Sequence, residues 1–308
     1  MNIVKQPYWL STNLFKLTIV IALLWSFNLL AQSDTVGINN KKRQNLCYAV
    51  GLGGSAVVHA GLYQMWYKDY PSSSFHFIND NRQWLQMDKF GHAYSAYYLS
   101  YTGIEAAQWA GVSKKNQWKW GLFGLIFQTP IEVFDGFSAG WGASTGDLIA
   151  NTFGSALCIG QHALWQEQKF TMKFSYSPSS YRKERPNVLG NSFLTGLSKD
   201  YNGQTYWLCY SPLKNTKIDF LGLGLGYGAN GLLGGTENKW EDQNKQLVDR
   251  TDVKRYRQYY LSLDYNLTKI KTNNKTLKKI LFVLNCIKLP SPALEFSNQR
   301  FKGHLLKF

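Results

Sequence analysis

The stretch from Thr129 to Gly154 constrains the fold most strongly, because it places charged side chains in an otherwise apolar part of the chain. Three carboxylates, Glu132, Asp135 and Asp147, fall among glycines, alanines and aromatic residues. An ionised carboxylate in apolar surroundings is costly unless it is paired, bound to a metal ion or hydrated. The sequence therefore predicts that polar groups from elsewhere in the chain meet this stretch.

Residues 1–31 are typical of an export signal. Lys5 and Lys16 precede an apolar run that begins at Leu17 and ends at Leu30, and a cleavage point follows at Ala31. This run is short for a membrane span and typical of a signal peptide, with an uncleaved anchor as the alternative. No cysteine stands at the cleavage point, so we do not expect a lipid-modified N-terminus. Residues 32–45 then form a polar linker.

Export places the remaining chain where disulfides can form, but the cysteines do not have the spacing of a disulfide framework or a zinc site. Cys47, Cys158, Cys209 and Cys286 are far apart, and each lies in an apolar context. We expect them to be small buried hydrophobic residues, although a Cys47–Cys158 bridge stays open.

The positive charge is concentrated in the C-terminal half. Residues 32–165 carry nine Lys or Arg and eight Asp or Glu, whereas residues 166–308 carry 23 and 11, a net charge of +12. In an exported protein this charge predicts membrane lipid or an anionic glycolipid as the partner, and it argues against nucleic acid. General solubility is the alternative explanation, and an envelope protein partner stays open.

Four helices are predicted in residues 46–165, and we expect them to form a membrane-associated bundle. The first lacks Asp, Glu, Lys and Arg, is long enough to cross a bilayer, and carries His59, which we expect to be a hydrogen-bonded packing residue. In the third, Pro130 predicts a kink. In the fourth, Ser144 is the predicted N-cap, with Asp147 in the first turn. The helices run from Cys47 to Tyr67, Met87 to about Gly111, Trp118 to Phe134, and Ser144 to about Trp165.

From Phe170 onward the period of the hydrophobic pattern changes to two, which predicts strands. One further helix is predicted from Thr276 to Asn285. The predicted fold class is therefore α+β, with a helical domain at residues 46–165 and a basic, mainly antiparallel β domain at residues 166–308. The predicted strands are Phe170–Tyr176, Tyr206–Tyr210, Phe220–Tyr227 and Tyr256–Leu267.

Six polar residues of the helical domain lie at or near predicted helix ends, where an antiparallel bundle would bring them together. They could form a general acid/base set, and four of them could hold a divalent metal ion. The alternative is that these groups cap helices and pair with one another. The six are Asp88, His92, Glu132, Asp135, Asp147 and Asn151, and the four possible metal ligands are His92, Glu132, Asp135 and Asp147.

These residues carry a resemblance to a known family. Asp88-Lys89-x-Gly91-His92, Glu132-x-x-Asp135-Gly136 and Ser144-x-x-Asp147-x-x-x-Asn151-x-x-Gly154 resemble the YfiM-type predicted envelope proteins, a domain of unknown function, over about residues 46–165. The pattern is more distantly similar to the VanZ-like membrane proteins, which place a glutamine and an arginine where this chain has Asp135 to Ser138. The resemblance implies a location and a site, but no reaction.

Two functions stay open from the sequence. The first is a structural or assembly role in the cell envelope, in which the polar cluster fixes helix packing. The second is a metal-dependent or acid/base hydrolase, or a binding protein, for a lipid or isoprenoid-linked head group. In both cases we expect an exported, membrane-associated protein, with the inner and outer membranes as alternatives.

Overall fold

The structure is a computed structural model that describes residues 40–68, 70–213, 216–242 and 244–308. The predicted export signal lies outside the described residues. In the described part, the chain forms two compact units, one from residues 40–80 and 92–168 and the other from residues 81–91 and 169–308. The fold class is α+β, as predicted, because helices are followed by an antiparallel sheet.

The first unit is built from helices and one pair of very short strands. The strands β1 (Phe77–Ile78) and β2 (Ala143–Ser144) pair in parallel. A π-helical turn, Ala49–Gly53, joins the first two helices. The helices are α1 (Lys41–Tyr48), α2 (Gly54–Trp66), α3 (Met87–Trp109, which belongs to this unit from His92 onward), α4 (Lys114–Gly121), α5 (Phe123–Gly136) and α6 (Thr145–Trp165).

The predicted four-helix membrane bundle is wrong in detail. The third predicted helix is two helices, because α4 ends at Gly121 and α5 begins at Phe123. The predicted linker ends early, because its last residues already belong to α1, which Asn40 caps through its side chain. Among the described residues, one helical run, Lys41–Gln64, is long and apolar enough to cross a membrane by length and composition. Helix α5 continues through Pro130 to Gly136.

Two glycines allow the backbones of three helices of the first unit to approach closely. A Cβ atom added to Gly154 on α6 would lie 2.0 Å from the carbonyl oxygen of Ala93 on α3. A Cβ atom added to Gly124 on α5 would lie 2.4 Å from the carbonyl oxygen of Ala96, also on α3. Real Cβ contacts are longer than 3.0 Å, so only glycine fits either position. These contacts set α5 and α6 against the turn of α3 that follows His92.

The second unit is a six-stranded antiparallel sheet with short helices and a separate small hairpin. The strands of the sheet are β3 (Phe170–Tyr176), β4 (Gln204–Tyr210), β5 (Leu221–Asn230), β8 (Tyr256–Tyr265), β9 (Ser291–Ser297) and β10 (Arg300–Lys307), and the hairpin is β6 (Lys239–Glu241) with β7 (Leu247–Asp249). Their order in the sheet is β10-β9-β8-β5-β4-β3. The four predicted strands are confirmed within a few residues, but β9 and β10 were not predicted.

The second unit contains more helices than the single helix that the sequence predicts. The predicted helix is confirmed as α9 (Lys275–Leu284). Two short helices were missed, α7 (Pro186–Leu189) and α8 (Phe193–Lys199). A four-residue helix and a seven-residue helix are too short to show a clear 3.6-residue hydrophobic period, which explains the omission.

The cysteines and His59 are packing residues, as predicted. All four cysteines are buried free thiols, including Cys47 and Cys158. The ring of His59 on α2 lies 2.6 Å from the carbonyl oxygen of Ser55 through Nδ1 and 2.9 Å from that of Phe127 through Nε2. His59 therefore links α2 to α5 through its hydrogen bonds.

Candidate functional site

The N-terminus of α6 is capped in a way that directs one carboxylate toward α3. The Ser144 hydroxyl accepts a hydrogen bond from the Asp147 N–H at 3.1 Å and donates one to Asp80 at 2.6 Å. In a capping box, the acidic residue of the first turn would accept the N–H of the cap residue. Here Glu132 of α5 accepts the Ser144 N–H at 3.2 Å. The Asp147 side chain instead faces His92.

His92 lies at the centre of a buried polar cluster. Its Nδ1 atom lies 3.2 Å from Asn151 Oδ1 and 3.8 Å from Glu132 Oε1, and its Nε2 atom lies 3.6 Å from Asp147 Oδ1. The four residues are between 2% and 6% exposed. The structure thus brings together four of the six predicted residues, from helices α3, α5 and α6. We call His92, Glu132, Asp147 and Asn151 the polar cluster.

The hydrogen bond to Asn151 orients the His92 ring. An amide oxygen only accepts hydrogen bonds, so Nδ1 carries the proton in this contact. In a neutral imidazole the other nitrogen, Nε2, then presents its lone pair. This lone pair lies on the side of the ring that faces Asp147. A histidine that ligates a metal ion is held in this way by a hydrogen bond at its other nitrogen.

Asp88 lies one helical turn before His92, as the sequence predicts. It is in the first turn of α3 and not at the N-cap. Asp88 also accepts a hydrogen bond from the Tyr201 hydroxyl at 3.2 Å, and Lys89 Nζ lies 3.5 Å from it. Its carboxylate is therefore held by several groups.

Asp135 makes a contact of another kind. It lies near the end of α5, where it accepts a hydrogen bond of 2.6 Å from the hydroxyl of Tyr67, the residue that caps the end of α2. Burial, followed by the nearby Asp135 carboxylate, raises the pKa of the Tyr67 hydroxyl well above its usual range. Tyr67 is therefore a donor to Asp135, and the pair ties α2 to α5.

Chemically, the polar cluster offers one imidazole nitrogen and carboxylate oxygens. This donor set suits a divalent ion such as Zn²⁺ or Mn²⁺. A separation of 3.6 Å between His92 Nε2 and Asp147 Oδ1 is too long for a direct hydrogen bond. If a metal ion binds here, His92 Nε2 and Asp147 Oδ1 would hold it.

A second titratable group of the first unit lies farther along α3. Burial raises the pKa of the Glu105 carboxyl from 4.5 to about 7. Burial, and then the Glu105 charge, raises the pKa of both Tyr101 and Cys158. The sequence marks Glu105 only as a lone charge in an apolar helix, so its environment could not be predicted.

The first unit also contains a cavity of about 1000 Å³. None of the six predicted site residues lines it. Aromatic side chains, Tyr48 and Trp120, and basic ones, Lys114 and Lys119, contribute to its wall. The cavity and the polar cluster are therefore separate features of the described part of the chain.

Asp80 and Tyr67 are site residues that the sequence did not reveal. Asp80 falls in a polar run, which predicts a loop, and it reaches Ser144 because Ile78 pairs with Ser144 in the two-residue parallel ladder of β1 and β2. Such a short non-local pairing leaves no periodic pattern in the sequence. Tyr67 closes an apolar helix, which predicts an interfacial aromatic residue and not a hydrogen-bond donor to a carboxylate.

One known family matches the part of the chain that contains this site. Residues 76–162 match the family DUF2279, described as a predicted periplasmic lipoprotein. The match spans less than half of the chain but contains the whole polar cluster, and it supports export of a domain of unknown function to the envelope. It does not confirm the YfiM or VanZ resemblance. No curated protein and no solved structure matches the chain.

Proposed function

We propose that the first unit is a structural or assembly module of the cell envelope whose polar cluster binds a divalent metal ion. The observation that carries the proposal is the 3.6 Å separation of His92 Nε2 from Asp147 Oδ1, on a ring whose Nδ1 is held by Asn151. Imidazole and carboxylate face each other at a distance that an ion would bridge.

The surrounding groups suit this role. Glu132 lies on the Nδ1 side of the ring and accepts the Ser144 N–H, so it orients α6 and the imidazole from outside the ion site. Carboxylates and amides placed behind a ligating histidine commonly raise metal affinity.

A metal ion there would join α3 to α6. Because an ion that binds only the folded state stabilises it by mass action, removal of the ion should lower the stability of the first unit. When bound, such an ion also supplies a positive charge able to attract a phosphate or carboxylate group.

The envelope location is part of the proposal. The family description supports export, and it also suggests that a lipid attaches the protein to a membrane. We propose that the protein is associated with a membrane of the envelope.

The alternative function, hydrolysis or binding of a lipid-linked head group at the same residues, has less support. A catalytic carboxylate has to reach its substrate, whereas the residues of the polar cluster are between 2% and 6% exposed. The cavity, which is large enough for a ligand, is lined by other residues. Burial of this degree favours a resident ion over a site of substrate turnover.

Metal analysis of the purified full chain tests the proposal. We expect about one equivalent of Zn²⁺ or Mn²⁺ by elemental analysis, and rebinding after chelation that calorimetry can measure. His92→Gln and Asp147→Asn should lose the ion. Asp135→Asn is the matched control, because it makes the same chemical change in a carboxylate bonded to Tyr67, and it should keep the ion.

The outcomes separate the two open functions. Metal content that is equal in the wild type and in Asp147→Asn would overturn metal binding by the polar cluster. A metal-free wild type, with stability lowered by both Asp147→Asn and Asp135→Asn, would leave a hydrogen-bonded network that only fixes helix packing. Loss of an activity toward lipid head groups in a stably folded Asp147→Asn variant would favour the hydrolase.

A further inference from the structure

The six-stranded sheet of the second unit has an exposed apolar face. Leu225, Leu261 and Leu294 are direct cross-strand partners on β5, β8 and β9, and they are between 44% and 63% exposed. Leu223 and Leu263 form a parallel row beside them and are about half exposed. We call these five leucines the leucine face. An antiparallel sheet with one covered side normally turns its apolar side chains toward the covered side.

The opposite side of the sheet is buried and combines a small apolar cluster, Trp207, Cys209 and Tyr260, with polar and charged groups. Lys173 on β3 and Asp264 on β8 form an ion pair at 3.0 Å and are 0% and 1% exposed. Ser262 and Glu295, the inward neighbours of Leu261 and Leu294, are buried as well. Burial of ion pairs is costly and contributes little net stability. A sheet surrounded by water would be more stable with its leucines on the buried side and its charged groups in solvent. The exposed leucines of this sheet therefore fit an apolar surrounding on that side.

Part of this face is covered by the chain itself, which shows that it accepts apolar partners. The next row includes Tyr227, which pairs with Tyr206 across β4 and β5. The ring of Phe90 stacks on Tyr227 with centroids 4.3 Å apart, and both tyrosines are buried. Residues 81–91 thus cover the Tyr206–Tyr227 end of this row within the second unit, whereas the leucine face is left exposed.

Helix α9 is a second apolar surface with basic flanks. Leu277, Ile280 and Leu284 recur at helical spacing and are between 39% and 48% exposed, and no residue of the helix is buried. Lys275 precedes this stripe, and Lys278 and Lys279 lie between Leu277 and Ile280. A short helix with an apolar stripe and lysines is typical of segments that lie at a membrane surface.

From these surfaces we propose that the leucine face and α9 contact the acyl region of an anionic phospholipid membrane. The net charge of +12 in residues 166–308 matches anionic head groups. An exposed contiguous apolar surface of this kind marks an interaction site. The proposal concerns the second unit and does not rest on metal binding by the first.

A local fluorescent probe tests this contact in the full chain. The four native cysteines are buried, so a thiol-reactive environment-sensitive dye should label an introduced surface cysteine selectively. Leu261→Cys and Leu277→Cys report on the leucine face and on α9. Leu247→Cys is the matched control, because Leu247 is a similarly exposed leucine on the separate β6–β7 hairpin. Each labelled protein is reconstituted with vesicles of phosphatidylcholine and phosphatidylglycerol.

Lipids brominated on the acyl chains then quench any probe that lies among them. We expect at least twofold quenching at positions 261 and 277 and little at position 247. Replacement of phosphatidylglycerol by phosphatidylcholine alone should reduce quenching at position 277, because the lysines of α9 lose their anionic partner.

The opposite results overturn the inference. Absence of quenching at position 261 together with a water-exposed emission would show that no lipid covers the leucine face. Cross-linking between copies at position 261, without quenching, would assign the face to a second copy of the chain. Equal quenching at positions 247 and 261 would show that the probe reports only the proximity of the protein to the membrane.

Discussion

Substitution of Gly154 by alanine tests the close approach of helices that forms the polar cluster. The added Cβ atom would lie 2.0 Å from the Ala93 carbonyl oxygen, about 1 Å closer than Cβ atoms are found in real structures. That oxygen belongs to the backbone of α3 and cannot rotate away. Helix α6 therefore has to move away from α3, carrying Asp147 and Asn151 away from His92.

The expected magnitude follows from two opposing terms. Overpacking of this kind typically costs about 1–3 kcal/mol, and a clash with the backbone belongs at the upper end of that range. Alanine gains about 1 kcal/mol over glycine in a helix interior. The net expectation for Gly154→Ala is a loss of about 2 kcal/mol in the free energy of unfolding of the first unit.

Gly160 on the same helix is the control. A Cβ atom added there meets nothing within 4 Å, so Gly160→Ala should stabilise the protein by about 1 kcal/mol. Urea unfolding of both variants in the same detergent, followed by near-ultraviolet circular dichroism, measures the difference. Gly154→Ala should also weaken metal binding, whereas Gly160→Ala should not. If the two alanine variants are stabilised equally, α3 and α6 are not in close contact at Gly154.

Other variants test the titratable and paired groups. Because burial raises the pKa of Glu105 from 4.5 to about 7, the folded state holds this proton more tightly than the unfolded state, and stability should fall as the pH rises from about 4.5 through 7. Glu105→Gln should therefore stabilise the protein by on the order of 2 kcal/mol at pH 8 and much less at pH 5. Thermal unfolding at the two pH values measures this difference, and an equal gain at both would contradict the prediction. Tyr67→Phe removes the hydrogen bond to Asp135 and should cost roughly 1.5–3 kcal/mol in chemical unfolding without changing metal content. Asp264→Leu removes the ion-pair partner of the buried Lys173 and should cost about 3–5 kcal/mol in urea unfolding. Addition of Lys173→Met should recover part of that loss, and equal losses in the single and double variants would refute the pairing.

The sequence predicts the class of fold and most of the elements because their signals are local. The switch of hydrophobic period at Phe170, from helical to alternating, marks the start of β3 at that residue. Ser144 caps α6 as its position before Asp147 predicts. Helix α9 follows from its own amphipathic pattern. Such features depend on residues a few positions apart, which the order of the chain fixes directly.

The split of the third predicted helix illustrates a limit of this reasoning. The apolar pattern from Trp118 to Phe134 predicts one helix, yet α4 and α5 are separate, with Leu122 between them. A Cβ atom added to Gly103 on α3 would lie 2.1 Å from the Trp120 carbonyl oxygen, so the end of α4 packs against α3. This packing is a long-range contact, and the local pattern does not contain it.

The polar cluster likewise combines local spacings that the sequence predicts with long-range contacts that it does not. Spacing alone marks Asp88 and His92 as one turn apart on a helix, and Asp147 and Asn151 likewise. The sequence could not decide which carboxylates meet the imidazole.

The sequence by itself determined that this chain has polar residues at helix ends, a basic C-terminal half and an α+β fold. Only the tertiary structure decided that Glu132 accepts a hydrogen bond from the Ser144 N–H and that Asp135 accepts one from Tyr67. It also decided that the sheet is apolar on its exposed side. The reason is physical. Periodicity reports which residues share one face of an element, whereas the partner of that face depends on packing between elements distant in the chain.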